Sequence, residues 1–182
     1  LRAALTVEGP VAIRFPRGTP PRFDSTPRES DEDVWQPQFL REGHDGLIIG
    51  VGPVLADCLR AAEDIERRFR RGLAVLDLRC VKPLASEVLV ELAKRYKKWL
   101  VVEEGTLLGG LGSALLEFLS DRDLKVRVRR CGIPDRFITH GDRTSLLREI
   151  GLDADGLKEE AAQLFAGKRL VVGKAAKQRV QV

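Results

Sequence analysis

Short apolar runs separated by helical patterns organise the chain from Gly46 onwards. Each run is bounded by glycine, proline or charged residues, which is typical of a buried strand. The segments between the runs place apolar residues three or four positions apart, and this spacing predicts amphipathic helices. The predicted strands are 47–51, 73–78, 99–102 and 125–131, and the predicted helices are 54–71, one beginning with Ser86 as its N-cap, 109–119, 146–150 and 157–165.

Alternating strands and helices with short connections predict an α/β fold. Parallel neighbours need crossover helices, so the sheet should be mainly parallel with helices on both faces. Ligands of such folds gather at the carboxyl ends of the strands. In this chain those ends carry Gly52, Arg79, Glu103-Glu104 and Gly132.

The first 45 residues lack this alternation. Residues 1–18 contain one strand-like run, Val11–Ile13, which predicts a remnant strand of a preceding domain because it has no local partner. Residues 19–45 are rich in proline and in charges of both signs, which predicts an interdomain linker. Trp35 and Phe39 are its expected docking points.

Composition narrows the function classes. Hydrophobic residues make up 43% of the 182 positions, which is typical of a globular protein, and no run approaches the roughly 20 apolar residues of a membrane-spanning helix. The net charge of +4 would suit nucleic acid, but five of the 31 basic residues and no acidic residue lie in 167–182. The basicity therefore belongs to a tail, and no nucleic-acid or membrane partner is predicted.

Two further counts concern the origin of the chain and its thiols. The sequence contains no Met and opens with Leu1, so we expect a start that is not a native translation start. Three isolated cysteines, Cys58, Cys80 and Cys131, favour buried thiols in a reducing compartment over disulfides or a metal site.

The glycine-rich segment 109–113 could cradle a phosphate at a helix start. It lacks the third glycine of the dinucleotide fingerprint and the P-loop lysine, so close packing is the favoured interpretation.

Glu103 and Glu104 are adjacent on a strand and point to opposite faces, so they cannot act as one acid/base pair. We expect one of them to cap the glycine-rich helix start. His140 has no partner at metal-ligand spacing.

Arginines form two groups of interest. Arg67, Arg68, Arg70 and Arg71 form a basic cluster, but Glu63, Asp64 and Glu66 lie beside it, which indicates a solvated helix face. Arg14 and Arg17 follow the remnant strand, where a guanidinium can bind phosphate in a bidentate manner, although ordinary surface arginines are the alternative.

Five phrases, in the same order, resemble segments of the 1-deoxy-D-xylulose-5-phosphate synthases of the transketolase superfamily. Together they extend over most of the chain, and the combination is more specific than any single phrase. The phrases are Gly9–Gly18, Asp77–Leu84, Val102–Gly105 with Gly109–Ala114, Ile133–Gly141, and Gly151–Asp153.

The resemblance implies a transferase that uses thiamine diphosphate and Mg²⁺ to condense pyruvate with D-glyceraldehyde 3-phosphate. The products are carbon dioxide and 1-deoxy-D-xylulose 5-phosphate, a precursor of isoprenoids. Arg17 matches the family arginine that binds the triose phosphate group. Arg14 matches another recurrent arginine with a structural role. The resemblance also implies a homodimer in the cytoplasm or the plastid stroma.

The resemblance covers only the carboxyl-terminal third of such an enzyme. The family's GDG…N metal motif has no counterpart, because Gly141-Asp142 is followed by Arg143, and the activating glutamate of the middle domain is absent. We therefore expect no catalytic, cofactor-binding or metal-binding residue in this chain, no cofactor bound to it alone, and the missing N-terminal and middle domains as partners. The implied domains are the end of the pyrimidine-binding domain (1–18), the linker (19–45), a transketolase-type C-terminal domain (46–166) and the basic tail (167–182).

Two alternatives remain open. The chain could be the C-terminal domain of a two-oxo acid dehydrogenase beta subunit, which shares the fold, although the Pro16–Gly18 and Pro134–Gly141 phrases favour the synthase. It could also be a non-catalytic interaction or regulatory domain.

Overall fold

The computed structural model describes residues 2–13 and 35–167. Strands and helices alternate through the second range, as the hydrophobic pattern predicts. The elements are α1 (Arg2–Thr6), β1 (Gln38–Arg41), β2 (Gly46–Gly50), a 3₁₀ turn (Gly52–Val54), α2 (Leu55–Phe69), β3 (Leu73–Asp77), α3 (Ser86–Arg95), β4 (Lys98–Thr106), α4 (Leu111–Ser120), β5 (Arg127–Ile133), α5 (Arg143–Glu149), α6 (Ala154–Ala161) and a π-helical turn (Ala162–Ala166).

The strands form one sheet in the order β1-β3-β2-β4-β5. Strands β2 to β5 pair in parallel, whereas β1 pairs antiparallel with β3. The helices α2, α3 and α4 make the crossovers that parallel pairing requires. The predicted α/β fold with a mainly parallel sheet is confirmed.

The sheet separates two hydrophobic cores. Successive strand residues point to opposite faces, so Leu100 and Val102 of β4 lie in one core while Trp99 and Val101 lie in the other. Helices α2, α5 and α6 cover the first core, which we call the α2-side core, and α3 and α4 cover the second, the α3-side core. Burial on both faces explains why β2, β3 and β4 contain continuous apolar runs.

The N-terminal expectations need correction. Val11–Ile13 forms no strand, and Val11 and Ile13 are about half exposed, because the described chain offers them no partner strand. Strand β1 lies inside the range predicted as a linker and adds an antiparallel edge to the sheet. Phe39 of β1 packs against the α3-side core, as expected of a docking point, but Trp35 is 56% exposed.

The end of α2 and the β5 edge of the sheet each carry arginines. Arg70, directly after α2, adopts a left-handed backbone with φ 54°, and its N–H donates to the carbonyl of Glu66 at 2.9 Å. Strand β5 forms the second edge of the sheet and carries Arg127, Arg129 and Arg130.

All three cysteines are buried and free, as the sequence predicts. Cys58 and Cys131 both lie in the α2-side core. Burial raises the pKa of each of these two thiols. No helix of the described residues has the length and apolar character needed to cross a membrane.

Candidate functional site

The carboxyl end of β4 is organised around Glu103. Its side chain points to the α3 and α4 face, where Oε2 accepts from the N–H of Leu111 at 2.8 Å and Oε1 from that of Gly112 at 2.9 Å. Glu103 is only 7% exposed. Its carboxylate therefore fills the positive N-terminus of α4, as the sequence predicts for one of the two glutamates.

The glycine-rich segment permits this close approach. A Cβ at Gly110 would collide with the Glu103 carboxylate and with the Thr106 carbonyl. A Cβ at Gly112 would meet Cδ of Arg130 at 2.6 Å. The glycines are thus required for packing, in agreement with the favoured interpretation of this segment.

Arg130 of β5 connects its strand to the same segment. Its Nη1 donates to the Leu107 carbonyl at 2.6 Å and to Ser113 Oγ at 3.0 Å. Ser113 Oγ also donates to the Leu107 carbonyl, at 3.2 Å. The loop between β4 and α4 is therefore bonded to Arg130 of β5 on one side and to Ser113 of α4 on the other. The sequence analysis did not identify Arg130, because only the pairing of β4 with β5 brings it to this loop.

Glu104 points to the opposite face and has a different partner. Its carboxylate accepts from Arg143 of α5, with Nε at 3.1 Å from Oε2 and Nη2 bonded to Oε1. This two-pronged ion pair fixes the start of α5 against the end of β4. The two glutamates therefore act on separate helices, and the prediction that they do not converge on one atom is confirmed.

The end of β3 carries a tight turn. Asp77 Oδ1 accepts from the N–H of Arg79 at 2.9 Å, and Arg79 has a left-handed backbone with φ 60°. Burial raises the pKa of the Asp77 carboxyl, partly offset by this hydrogen bond and by the charge of Arg79. The turn directs the chain away from the sheet towards α3.

A cleft of about 340 Å³ lies between the start of α2 and helices α5 and α6. Asp57 in its wall is paired with Arg60 at 3.1 Å, and Asp153 with Arg148 at 3.7 Å. Burial raises the pKa of the Asp57 carboxyl, with a partial offset from Arg60. Arg143 also lines the cleft, and its partner is Glu104. Since these charges of both signs already neutralise one another, the cleft does not select an ionic ligand.

The predicted substrate residue Arg17 lies outside the described residues, as does Arg14. His140 is exposed in the loop after β5. Within the ranges 2–13 and 35–167, no three His, Cys, Asp or Glu side chains are grouped as a metal site would require. Arg67 and Arg68 are exposed and both pair with Asp64 on α2, as expected of a solvated helix face, whereas Arg70 and Arg71 follow the end of the helix.

The geometry does not fit a cofactor diphosphate at the glycine-rich segment. A phosphate at a helix start binds free backbone N–H groups. Here the N–H groups of Leu111 and Gly112 already donate to Glu103. A diphosphate would have to displace the buried Glu103 carboxylate and would then be repelled by the negative charge of that carboxylate. The N–H groups of Leu111 and Gly112 therefore serve to hold Glu103.

Comparison with known proteins agrees with this fold. Residues 36–157 match the family described as transketolase, C-terminal domain. The 1-deoxy-D-xylulose-5-phosphate synthase of Phocaeicola vulgatus is 36% identical over 85% of this chain and 24% of its own length. That of Oleidesulfovibrio alaskensis is 37% identical over 91% of this chain and 26% of its own length. The chain thus spans about a quarter of the length of these curated relatives.

Solved structures extend the comparison. A split-gene transketolase, described as an inactive β4 tetramer, superposes with a TM-score of 0.79 at 31% identity, over 92% of this chain and 54% of the other. The transketolase of Campylobacter jejuni shares the fold with a TM-score of 0.56 at 16% identity, over 76% of this chain and 20% of its own. The chain therefore belongs to the family of transketolase C-terminal domains.

Proposed function

We propose that this chain is the C-terminal part of a thiamine diphosphate-dependent synthase that condenses pyruvate with D-glyceraldehyde 3-phosphate. The products are carbon dioxide and 1-deoxy-D-xylulose 5-phosphate. The observation that carries the proposal is the similarity, at 36% and 37% identity, to two synthases of this name over most of the chain. The phrases that favour a synthase over a two-oxo acid dehydrogenase subunit support the same choice.

In this proposal the described domain supports the enzyme without performing its chemistry. The Glu103 carboxylate occupies the α4 N-terminus, and Glu104 is paired with Arg143. Both side chains at the end of β4 therefore stabilise the fold. Thiamine diphosphate and Mg²⁺ would be bound by the preceding N-terminal and middle domains, of which residues 1–18 would be the last part.

The assembly would be a homodimer. The split-gene transketolase that superposes on 92% of this chain supports association between copies, since that protein is described as an inactive β4 tetramer, and the dimer itself comes from the resemblance to the synthases. The enzyme would work on small-molecule substrates in the cytoplasm or in the plastid stroma.

Arg17 would bind the phosphate group of the triose. Two features support this role: its place in the Pro16–Gly18 phrase that resembles the synthases, and the bidentate geometry with which guanidinium groups bind phosphate. Pyruvate has no phosphate group, so the role is specific to one substrate.

The complete enzyme provides the test. We expect Arg17→Ala to raise KM for D-glyceraldehyde 3-phosphate by about 10-fold or more, since a charged hydrogen-bonded contact is lost, and to leave KM for pyruvate nearly unchanged. Steady-state kinetics with each substrate varied in turn would measure this. Arg28→Ala, an arginine outside the matched phrases, is the control and should change neither value. Equal effects of Arg17→Ala on both substrates would contradict the phosphate role.

A further inference from the structure

The amino ends of β4 and β5 carry a group of basic side chains. Lys98 is the first residue of β4 and Arg127 the first residue of β5, and the two are partners in the parallel register. The N–H of Arg127 donates to the Lys97 carbonyl at 2.9 Å, which joins the two strand starts. Lys125, two residues before β5, is exposed, as is Arg127. We call Lys98, Lys125 and Arg127 the amino-end basic patch.

Lys98 and Arg127 point to the same face of the sheet. The next residue of each strand, Trp99 in β4 and Val128 in β5, packs in or against the α3-side core. Since side chains alternate along a strand, Lys98 and Arg127 point to the α2-side face. Like charges at partner positions on neighbouring strands repel each other, and a bound anion would relieve that repulsion.

The patch keeps its charge, whereas the next arginine along the strand is neutralised. Arg129, two residues after Arg127, is paired with Glu160 of α6 at 3.0 Å. Within the ranges 2–13 and 35–167, none of the three side chains of the patch forms an ion pair or a hydrogen bond. Asp121 and Asp123, in the turn after α4, pair with none of them. An anionic group from another molecule therefore has unpaired cations to bind.

Further positive charge follows the last described residue at this end of the sheet. The Phe165 ring lies against Gly46, the first residue of β2, so the chain reaches Gly167 near the amino ends of the strands. The next 15 residues lie outside the described residues, and by sequence they contain five basic and no acidic side chains.

The polypeptide that precedes β1 enters the domain at the opposite corner of the sheet. Gln38, the first residue of β1, is the register partner of Asp77, the last residue of β3, so the entry lies at the carboxyl ends of the parallel strands. Strand β1 is one edge of the sheet and β5 is the other. The segment that leads back to the preceding domains therefore starts diagonally across the sheet from the patch, which favours a separate partner.

The chemistry of the patch favours carboxylates over a nucleic acid or a membrane. Single-stranded nucleic acids stack their bases on aromatic side chains, and membrane surfaces take up exposed apolar side chains. None of the large apolar side chains exposed in the described part of the chain belongs to the segments that lead into β4 or β5. Two of the three residues of the patch are lysines, which lack the planar fork with which arginine binds phosphate.

We propose that the amino-end basic patch binds an acidic segment, rich in Asp and Glu, of a separate protein. The carboxylates pair with the ammonium and guanidinium groups and relieve the repulsion between Lys98 and Arg127. Because these ion pairs are exposed, each changes the affinity by no more than about 5-fold, so the association is weak and sensitive to salt.

Fluorescence anisotropy of a labelled Glu-Gly repeat peptide, titrated with the complete enzyme at low ionic strength, tests the proposal. We expect saturable binding that the double variant Lys98→Ala with Arg127→Ala weakens at least about 5-fold, since two ion pairs are lost. The matched control, Lys82→Ala with Arg60→Ala, removes the same net charge from exposed residues outside the patch and should weaken binding less than about 2-fold. Far-ultraviolet circular dichroism would verify that the variants are folded.

Absence of peptide binding would overturn the proposal, and so would equal losses in the two double variants. Poly-uridine RNA or phosphatidylserine vesicles that bind through the patch more tightly than the peptide would overturn the choice of an acidic protein. Peptide binding by the 182-residue chain but not by the complete enzyme would show that the preceding domains cover the patch, and would overturn the separate partner. Synthase activity is measured separately, so none of these failures changes the assignment of the reaction.

Discussion

At the scale of single residues, Arg70 has a strained backbone conformation that the surrounding helix and strand maintain. Arg70 ends α2 in a left-handed conformation, with φ 54°, that ordinarily favours glycine. Its N–H still closes the helix on Glu66. The next strand begins at Leu73, so the chain must turn directly after α2. Arg70 lies in this turn and adopts the strained left-handed backbone conformation.

We expect Arg70→Gly to raise the free energy of unfolding by about 1 kcal/mol, because glycine adopts the left-handed conformation without the Cβ clash. Urea denaturation would measure the gain. Arg67→Gly lies within α2 and serves as the control, with an expected loss of about 1 kcal/mol or more from helix propensity and from the ion pair with Asp64. An unchanged or lower stability of Arg70→Gly would show that the turn carries no releasable strain.

The predictability of individual side chains depended on whether their roles were local. The opposite directions of Glu103 and Glu104 follow from strand periodicity, and the capping role follows from the nearby helix start, so both were predictable. The partner of Glu104 was not, because Arg143 lies 39 positions further along the chain. Ser86 was wrongly predicted as an N-cap. It is the first residue of α3, and its hydroxyl donates back to the Leu84 carbonyl at 3.4 Å.

At the scale of elements, the start of α4 depends on an acid from the preceding strand. The N-cap residue Gly110 has no side chain, so it cannot supply a capping oxygen. Glu103 supplies two oxygens from a distance of eight residues, which couples the end of β4 to the start of α4. The stability of the helix start therefore depends on the strand.

We expect Glu103→Gln to lower the free energy of unfolding by roughly 2–3 kcal/mol, since the amide NH₂ group cannot accept from a helix N–H and one buried donor loses its partner. Glu104→Gln changes the neighbouring residue in the same way. Its ion pair with Arg143 is partly exposed, so we expect a loss below about 1 kcal/mol. Thermal or urea denaturation of both variants would compare them. Equal losses would contradict the difference between the two glutamates.

The elements themselves were predictable wherever the apolar pattern was strong. Strands β2, β3 and β4 contain continuous apolar runs because both their faces are buried, and these strands and the arginine-bearing β5 were all recognised from the sequence. Strand β1 was missed, because Gln38–Arg41 alternates poorly and follows a charged, proline-rich segment. Its pairing with β3 comes from tertiary packing, with Phe39 against the α3-side core.

At the scale of the whole molecule, both hydrophobic cores pack against the same sheet. We therefore expect the residues buried in either core to become accessible to solvent only when the sheet unfolds. Cys58 on α2 and Cys131 on β5 are both buried in the α2-side core. The thiolate is the reactive form, and burial raises the pKa of both thiols. Their reaction with an alkylating agent should therefore require global unfolding.

We expect iodoacetamide at mildly alkaline pH to label Cys80 first, because Cys80 lies in the loop after β3 and can be exposed by local opening. Cys58 and Cys131 should then react together, at a rate that rises with urea in parallel with the unfolded fraction. Peptide mass spectrometry would follow each site. Rapid labelling of Cys131 without urea would show that β5 opens independently of the sheet.

The arginines along β5 have a consequence for the open edge that this strand forms. An open strand edge invites pairing with another strand, which leads to aggregation. Arg129 is paired with Glu160 at 3.0 Å and Arg130 is bonded to the Leu107 carbonyl, so the exposed charge on this strand is that of Arg127, and a second β5 approaching the edge would meet it. This charge at the start of β5 disfavours pairing of the edge with a second copy of the same strand.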